Sequence, residues 1–286
     1  MTDSLTLPDN KQSAPRARTT RRPTGKPSWP VTLLAGREKS GKSFQAALAS
    51  ASPLIDRTFW VGFGEQDPDA YGAIPGARFE IAEHDGSLRD LKETIRYINA
   101  EPVVDKPHLL VIDSATRIWN TLGDKATYLA VKRGSVDRNG EPIVGMDLWN
   151  KVTREWMEIM TLVRQHNGPV ILTARLDTVT VMDDHGRPTK AKSEKVKGQK
   201  DLAYDVDAIV EMPARGTAEL VGARSVIFNL TERTTIPDFT VEGLWRMLGL
   251  DITATAQPTY AEPAPIAEQV EPEPTAGEMI AAAPPA

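Results

Sequence analysis

Continuous apolar runs alternate with amphipathic segments through the middle of the chain. Runs of this kind, without polar positions in alternation, are typical of strands that are buried on both faces of a parallel sheet. Strands are predicted over residues 30–35, 57–63, 77–82, 108–113, 169–174, 207–212 and 218–228. The run 108–113, a short continuous apolar run that ends in an acid, is typical of a central strand.

Helices are predicted between these strands. One spans 42–51 and ends before Pro53, because the residue before a proline disfavours the helical conformation. The next begins after Ser87 as N-cap, and its apolar positions share one face: Leu88, Leu91, Ile95 and Ile98. A third spans 147–166, with Trp149 and Trp156 in the core. Two polar segments, 120–145 and 176–200, are predicted as loops, the second as a loop or hairpin. The alternation predicts an α/β fold, a mostly parallel sheet with helices on both faces.

Both ends of the chain differ from this core in charge and proline content. Residues 1–29 carry six basic and two acidic side chains, whereas residues 251–286 carry six acidic and no basic ones. Of the 22 prolines, 12 lie in 1–30 and 257–286. Such segments bury too little apolar surface to offset chain entropy. We therefore predict a disordered basic arm over 1–28, one folded domain over 29–250, and a disordered acidic tail over 251–286. The alternative is that both ends only improve solubility.

Composition excludes several kinds of chemistry. The chain has no cysteine, so it forms no disulfide, thiolate nucleophile or metal site with cysteine ligands. It has four histidines, with no paired spacing that would suggest a metal site. No apolar run is long enough to span a bilayer, and the first thirty residues show no secretory signal. We expect a cytoplasmic protein without a membrane partner.

Residues 36–43 match the phosphate-loop pattern G-x-x-x-x-G-K-[ST] in full. The motif lies between a predicted strand and a predicted helix, which is the context that the pattern requires. Its residues are Gly36, Arg37, Glu38, Lys39, Ser40, Gly41, Lys42 and Ser43. Backbone N–H groups and the helix N-terminus would surround a phosphate. Lys42 would place its charge on the terminal phosphates, and Ser43 would offer its hydroxyl to Mg²⁺.

Two acidic residues complete the predicted site. Asp113 ends the apolar run 109–112, where P-loop proteins place the acid that holds Mg²⁺. A turn or N-cap aspartate before Ser114 would look the same. No glutamate follows Asp113, so the predicted catalytic carboxylate is Glu65, just after the second strand. Strand ends at one edge of a sheet converge on the ligand. The alternative is that Glu65 is a solvated residue of an acidic loop.

This pattern resembles the RecA-like ATPase core over about residues 30–230. It is most similar to the compact RecA/RadB-like ATPases of bacteriophages, including the Sak-type single-strand annealing ATPases. The features that carry the resemblance are the phosphate loop, Glu65 after the next strand, and the Leu-Leu-Val-Ile-Asp-Ser sequence that ends at Ser114. It implies that the chain binds ATP and Mg²⁺, hydrolyses ATP, and acts on single-stranded DNA in recombination, annealing or replication. The sequence by itself does not separate ATP from GTP.

The resemblance also implies a phosphate sensor and DNA-binding segments. The sensor is expected where the strand 169–174 ends, at Thr173 or Arg175, although RecA proteins usually carry glutamine there. The segments 120–145 and 176–200 correspond to the DNA-binding loops. The second is rich in basic residues: Arg187, Lys190, Lys192, Lys195, Lys197 and Lys200. A solvated hairpin around Asp184 to Gly186 is the alternative. Trp119, just before the first segment, and Tyr128 within it could stack on bases or pack internally.

RecA-like ATPases assemble head-to-tail into rings or filaments, so a homo-oligomer is expected. A basic residue of one subunit would then reach the neighbour's nucleotide, and Arg224 is the first candidate, with Lys197 and Lys200 as alternatives. The acidic tail could recruit a replication or recombination protein. Alternative functions are a helicase-type motor or loader that acts on a protein partner, a P-loop small-molecule kinase, and a scaffold that binds nucleotide without hydrolysing it.

Overall fold

The structure is a computed structural model that describes residues 20–183, 185–251 and 255. Its strands are β1 Val31–Gly36, β2 Thr58–Gly62, β3 Glu80–Ile81, β4 Leu109–Asp113, β5 Val170–Met182, β6 Pro188–Lys197, β7 Ala208–Met212, β8 Glu219–Ala223 and β9 Thr234–Thr235. Its helices are α1 Lys42–Ala49, α2 Leu88–Ala100, α3 Ala115–Lys132, α4 Met146–Arg164, α5 Leu202–Asp205 and α6 Val241–Met247, with a short 3₁₀ helix at Asp69–Ala73. No helix in the described part is long and apolar enough to cross a membrane.

The strands form a single mixed sheet in the order β3-β2-β4-β5-β1-β7-β8-β9, and β6 pairs with β5 outside this path. The six strands from β3 to β7 run parallel to their neighbours. The strands β8, β9 and β6 pair in antiparallel fashion. Every residue of β1 and β4 is buried, as the uninterrupted apolar runs predict for central strands.

Helices cover both faces of the sheet because consecutive strand residues point to opposite sides. Leu33 packs in a core with helices α2, α3 and α4. Its neighbour Leu34 packs in a second core with α1 and α6. The predicted α/β fold, a mostly parallel sheet with helices on both faces, is confirmed. Within this sheet β2, β4, β5 and β1 are neighbours, so their carboxyl ends meet along one edge, where α/β sheets bind ligands.

The prediction of a polar loop over 120–145 is wrong, because α3 extends to Lys132. Ser114 caps this helix by accepting a hydrogen bond from the Arg117 N–H. The buried positions are spaced for one helical face: Ile118, Leu122, Ala126 and Ala130. Trp119 is partly buried and packs against Trp149 and Trp156 of α4, which favours internal packing over stacking on bases. Tyr128 is exposed on the same helix.

Three predicted strands have clearly different bounds in the structure. The strand predicted over 77–82 is reduced to Glu80–Ile81. The strand predicted over 169–174 continues to Met182 and pairs with β6, so 176–200 is mainly a β-hairpin. Polar and apolar residues alternate in the part of β5 that follows Ala174, because this part projects beyond the region of the sheet that the helices cover. The strand predicted over 218–228 ends at Ala223. Of the predicted terminal tails, residues 1–19, 252–254 and 256–286 lie outside the described residues. Trp29 is buried against Trp245.

Candidate nucleotide-binding site

The phosphate loop joins β1 to α1 and forms the floor of the site. Gly41 has a φ of 100°, a conformation that side-chain-bearing residues rarely adopt, and it immediately precedes α1. No side chain caps the start of α1, whereas Ser87 and Ser114 cap α2 and α3. The first N–H groups of α1 are therefore available to an anion at the positive end of the helix dipole.

Lys42 points back into its own loop. Its Nζ donates to the carbonyl oxygens of Gly36 at 2.9 Å and Arg37 at 2.8 Å. Burial lowers the pKa of Lys42, and this effect exceeds the opposing attraction of Asp113. An ammonium group held only by two neutral carbonyls in a desolvated loop favours an anionic ligand, because a phosphate would compensate its charge.

Asp113, at the end of β4, is almost fully buried among hydroxyl groups. Ser43 Oγ donates to Asp113 Oδ2 at 2.7 Å, and Thr173 Oγ1 donates to Oδ1. Burial raises the pKa of Asp113, while these two hydrogen bonds oppose the shift. Oxygen ligands of this kind are those that Mg²⁺ prefers, and Mg²⁺ commonly takes only one or two protein ligands beside substrate phosphates. In the described part of the chain no group of three or more acidic or histidine residues could hold a metal. Ser43 and Asp113 therefore fit a nucleotide-dependent magnesium site.

Glu65 lies at the same edge and is held by three side chains. Arg175 Nη2 donates to both of its carboxylate oxygens, at 2.7 and 2.9 Å. Ser114 Oγ donates to Oε1 at 2.9 Å, and Arg117 Nε lies 3.6 Å from the same oxygen. Gly64 has a φ of 66°, and a Cβ there would lie 3.2 Å from Arg117 Cβ. This turn therefore needs glycine for two reasons: its backbone has a positive φ, and a side chain at position 64 would crowd the Arg117 side chain.

The two candidates for the phosphate sensor make different contacts. Thr173 is buried and bonded to Asp113, so it orients the predicted metal ligand. Arg175 is partly exposed and lies beside the phosphate loop, paired in the sheet with Gly36. Its backbone N–H donates to Thr116 Oγ1 at 2.9 Å, and the same hydroxyl donates to the Lys197 carbonyl at 2.5 Å. Arg175 is thus fixed where β5 leaves the sheet for the hairpin.

A cavity of about 310 Å³ adjoins the start of α1. The sequence analysis did not identify it, because its walls come from separate parts of the chain. Phe44 and Phe239 form the aromatic part of its wall. The guanidinium carbon of Arg215 lies over the Phe44 ring, 5.9 Å from the ring centroid. An aromatic ring and a guanidinium group form a surface on which a flat heteroaromatic ring can stack.

The six predicted DNA-binding residues are exposed, and those on β6 lie on two faces of the hairpin. Lys192 shares a face with Glu194, because alternate strand residues point the same way, whereas Lys190 lies where the pairing register of the hairpin shifts. Lys195 and Lys197 lie on the other face, where Lys197 Nζ is 3.2 Å from Asp177 Oδ2. Arg187 is in the turn of the hairpin, and Lys200 follows β6. The structure therefore does not bring these residues into a single patch.

Arg224 is distant from the phosphate loop. It follows β8 directly, its N–H donates to the Asp207 carbonyl at 2.7 Å, and Asp207 precedes β7. It therefore lies at the amino edge of the parallel strands, opposite the loop. Its side chain is 86% exposed, with Nη1 3.6 Å from Asp207 Oδ1.

Three residues near the site were not assigned a role in it from the sequence. Arg117 was given no role in the site, and Ser114 was seen only as the neighbour of Asp113. Glu194 was also given no role, yet its carboxylate pairs with Arg37 of the phosphate loop. Each contact spans a long stretch of sequence, so no local pattern indicates it; only the position of Ser114 next to a strand-ending acid is a usable signal.

Comparison with known proteins identifies a family. A family model described as an AAA domain matches residues 30–236. A search of curated protein sequences finds no match. A solved structure described as the RadB recombinase is 18% identical, covering 75% of this chain and 90% of that chain, with a TM-score of 0.43.

Two further solved structures are similar over smaller shares of their length. One is an ATPase from the type III secretion system of pathogenic bacteria, 15% identical over 64% of this chain and 50% of that chain, with a TM-score of 0.38. The other is the cytoplasmic domain of the Thermomonospora curvata type VII secretion ATPase EccC. It is 12% identical, covering 73% of this chain and 23% of that chain, with a TM-score of 0.34. Identities and TM-scores this low carry no functional argument.

Proposed function

This chain belongs to the AAA domain family, and from that premise we propose that it binds ATP with Mg²⁺ and hydrolyses it. The observation that carries the proposal is the meeting of four groups at neighbouring strand ends. The phosphate loop follows β1, Asp113 ends β4, Arg175 lies on β5, and Glu65 follows β2. Together they supply an anion cradle, a metal ligand, a cation and a carboxylate, the parts that phosphoryl transfer requires.

Each group has a distinct role in this proposal. Lys42 leaves the two loop carbonyls and donates to the terminal phosphates. Ser43 and Asp113 hold Mg²⁺, with Thr173 orienting the Asp113 carboxylate. When bound, Mg²⁺ neutralises charge on the β- and γ-phosphate oxygens. Glu65 accepts a proton from, or orients, the attacking water. Its contacts with Ser114 Oγ and Arg175 keep the carboxylate at the edge of the sheet.

The Glu65–Arg175 pair gives Arg175 a part in the hydrolytic cycle. Arg175 Nη2 donates to both carboxylate oxygens of Glu65 in this structure. A γ-phosphate is a second anion that competes for the same guanidinium. We infer that Arg175 moves from Glu65 to the γ-phosphate, which frees the carboxylate when nucleotide is in place. Arg117 remains near Glu65 as a second cation.

The cavity beside α1 supports a nucleotide as the ligand, because a base and ribose would extend from the phosphate loop into it. Phe44 and Arg215 would stack with the base, and Phe239 would close the apolar end. The preference for ATP over GTP is part of the proposal and rests on the family.

We further propose that the substrate is single-stranded DNA, in recombination, annealing or replication of the phage type. Exposed lysines on the β5–β6 hairpin, which begins at Arg175, support this role. Such a protein would work in the cytoplasm, that of the host if a phage encodes it. The acidic C-terminal segment would recruit a replication or recombination protein, and it lies almost entirely outside the described residues.

A homo-oligomeric ring or filament is also part of the proposal. Arg224 lies at the opposite edge of the sheet from the phosphate loop and is highly exposed. In a head-to-tail assembly that edge of one subunit can face the nucleotide of the next. Arg224 would then act as an arginine finger in trans. Lys197 and Lys200, near the hairpin root, are the alternatives.

The test is steady-state ATP hydrolysis with and without single-stranded DNA, in low and moderate salt. We expect hydrolysis to need Mg²⁺, to rise with DNA, and to be lost in Lys42→Ala. Lys151→Ala, an exposed lysine on α4, is the matched control and should behave as wild type. Hydrolysis that ignores DNA would contradict the DNA proposal and favour a motor or loader acting on a protein partner. Absence of nucleotide binding would contradict the ATPase proposal itself.

A further inference from the structure

The phosphate loop and the lysine-rich hairpin are joined by an ion pair between Arg37 and Glu194. Two contacts form it: Arg37 Nη2 meets Glu194 Oε1, and Arg37 Nε lies 3.4 Å from Oε2. Thr178, across the hairpin, donates to the same carboxylate at 3.2 Å. The Arg37 guanidinium lowers the pKa of Glu194 below its ordinary value. Glu194 is the one acidic residue of β6, so the only carboxylate on this strand faces the loop.

Arg37 is also tied to the phosphate-binding groups through its backbone. Its carbonyl accepts a hydrogen bond from Lys42 Nζ at 2.8 Å and another from the Ser40 N–H at 3.4 Å. A phosphate that draws Lys42 away removes the first of these bonds. The side chain of the same residue is half-exposed beside the loop and can reach an anion there. One residue therefore connects the position of Lys42 with the position of β6.

We propose that the Arg37–Glu194 pair is a latch that couples the phosphate loop to the β5–β6 hairpin. Nucleotide phosphates compete with Glu194 for Arg37, so nucleotide binding opens the latch and loosens the hairpin. Linkage makes the effect reciprocal: a ligand of the hairpin changes nucleotide affinity by the same factor. The inference rests on the proposed nucleotide binding, but it does not require that the ligand of the hairpin be DNA.

The first measurement is the affinity for Mg·ADP by isothermal titration calorimetry. Glu194→Gln removes the competitor for Arg37, so we expect binding to tighten about twofold to fivefold, as for loss of an exposed ion pair. Arg37→Gln should weaken binding, and in that background Glu194→Gln should have no further effect. Asp177→Asn is the matched control, since it removes a carboxylate that pairs on the other face of the same hairpin. Its affinity should equal that of wild type.

The second measurement is amide hydrogen exchange of residues 178–194 with and without Mg·ADP. We expect nucleotide to speed exchange in wild type and in Asp177→Asn. In Glu194→Gln exchange should be fast in both states. A chain that binds Mg·ADP with unchanged hairpin exchange, or with the same affinity in Glu194→Gln as in wild type, would overturn the latch alone. A chain that binds no nucleotide would overturn the proposed function and the latch with it.

Discussion

Arg175 donates from one guanidinium nitrogen to both carboxylate oxygens of Glu65, at 2.7 and 2.9 Å. The two residues are 110 positions apart, and the sequence predicted Glu65 as the catalytic carboxylate and Arg175 separately as a candidate phosphate sensor. Their contact places the proposed base and the proposed phosphate sensor in one ion pair. A competing anion at the phosphate loop would therefore act on both residues.

Glu65→Gln should retain nucleotide binding and lose hydrolysis. The amide keeps the size of the side chain but cannot accept a proton from water, so we expect kcat to fall by about 10²-fold to 10⁴-fold. Kd for Mg·ATP should stay equal or fall, since the neutral amide competes less than the carboxylate for the Arg175 guanidinium. Single-turnover hydrolysis with a parallel binding titration measures both. Asp67→Asn is a suitable control, because it removes a nearby carboxylate just beyond the turn that carries Glu65. Glu38→Gln is less suitable, because Glu38 lies in the phosphate loop itself. Retained hydrolysis in Glu65→Gln would assign the base to another acid.

Asp113→Asn should separate stability from function. Burial raises the pKa of Asp113, so the charged carboxylate is less stable in the folded chain than in water. The amide has the same shape and no charge, and the Ser43 and Thr173 hydroxyls can rotate to suit it. We expect the unfolding temperature without nucleotide to stay equal or rise, while Mg²⁺-dependent hydrolysis is lost. Thermal unfolding and an Mg²⁺ titration of activity test this. A clear fall in unfolding temperature would show that Asp113 is primarily structural.

The two faces of the hairpin should contribute unequally to DNA binding. The Arg37 side chain neutralises Glu194 beside Lys192, with Lys190 nearer the hairpin turn, whereas Asp177 offsets Lys197 on the other face. A single strand can lie along only one face, and the first has more unopposed positive charge. The logarithm of the DNA association constant falls linearly with the logarithm of the salt concentration. We expect replacement of Lys190 and Lys192 by alanine to reduce the magnitude of this slope by about 1.4.

The matched double variant carries Lys195→Ala and Lys197→Ala and should leave that slope nearly unchanged. Fluorescence anisotropy of a labelled oligonucleotide at several salt concentrations measures the slopes. The reverse result would place DNA on the other face. Equal small changes in both variants would contradict DNA binding by β6.

Acid should destabilise the chain through His166. This imidazole is buried between the His108 carbonyl and Asn99 Oδ1, and burial lowers its pKa from 6.5 to about 4. Between these two pH values the unfolded chain binds a proton that the folded chain does not. The free energy of unfolding therefore falls as pH drops from about 6.5 to about 4, by about 3 kcal/mol over the window.

Denaturant unfolding at several pH values between 4.5 and 7 tests this expectation. His166→Gln should flatten the pH dependence in this window, whatever its effect on stability at pH 7. His185→Gln in the exposed turn of the hairpin is the control and should retain the wild-type slope. Equal slopes in all three proteins would mean that His166 titrates normally.

Much of the fold was predictable because its signals are local. Continuous apolar runs indicate buried parallel strands wherever they occur, and the phosphate loop specifies the turn between β1 and α1. The fold class follows from their alternation. The prediction was wrong at α3, where polar surface residues concealed the buried face of Ile118, Leu122 and Ala126. The predicted strand ended at residue 174, too early for β5, because polar and apolar residues alternate in the projecting part of this strand and the continuous apolar run ends there.

The sequence by itself determined the residues of the phosphate loop, the strand-ending Asp113, and Glu65 as a candidate carboxylate. Only the tertiary structure decided their partners: Arg175 on Glu65, Thr173 on Asp113, and Glu194 on Arg37. The structure also divided the hairpin lysines between two faces and placed Arg224 at the far edge. The physical reason is the same in each case. A motif depends on neighbours in sequence, whereas an ion pair depends on which strands are adjacent and where each one ends.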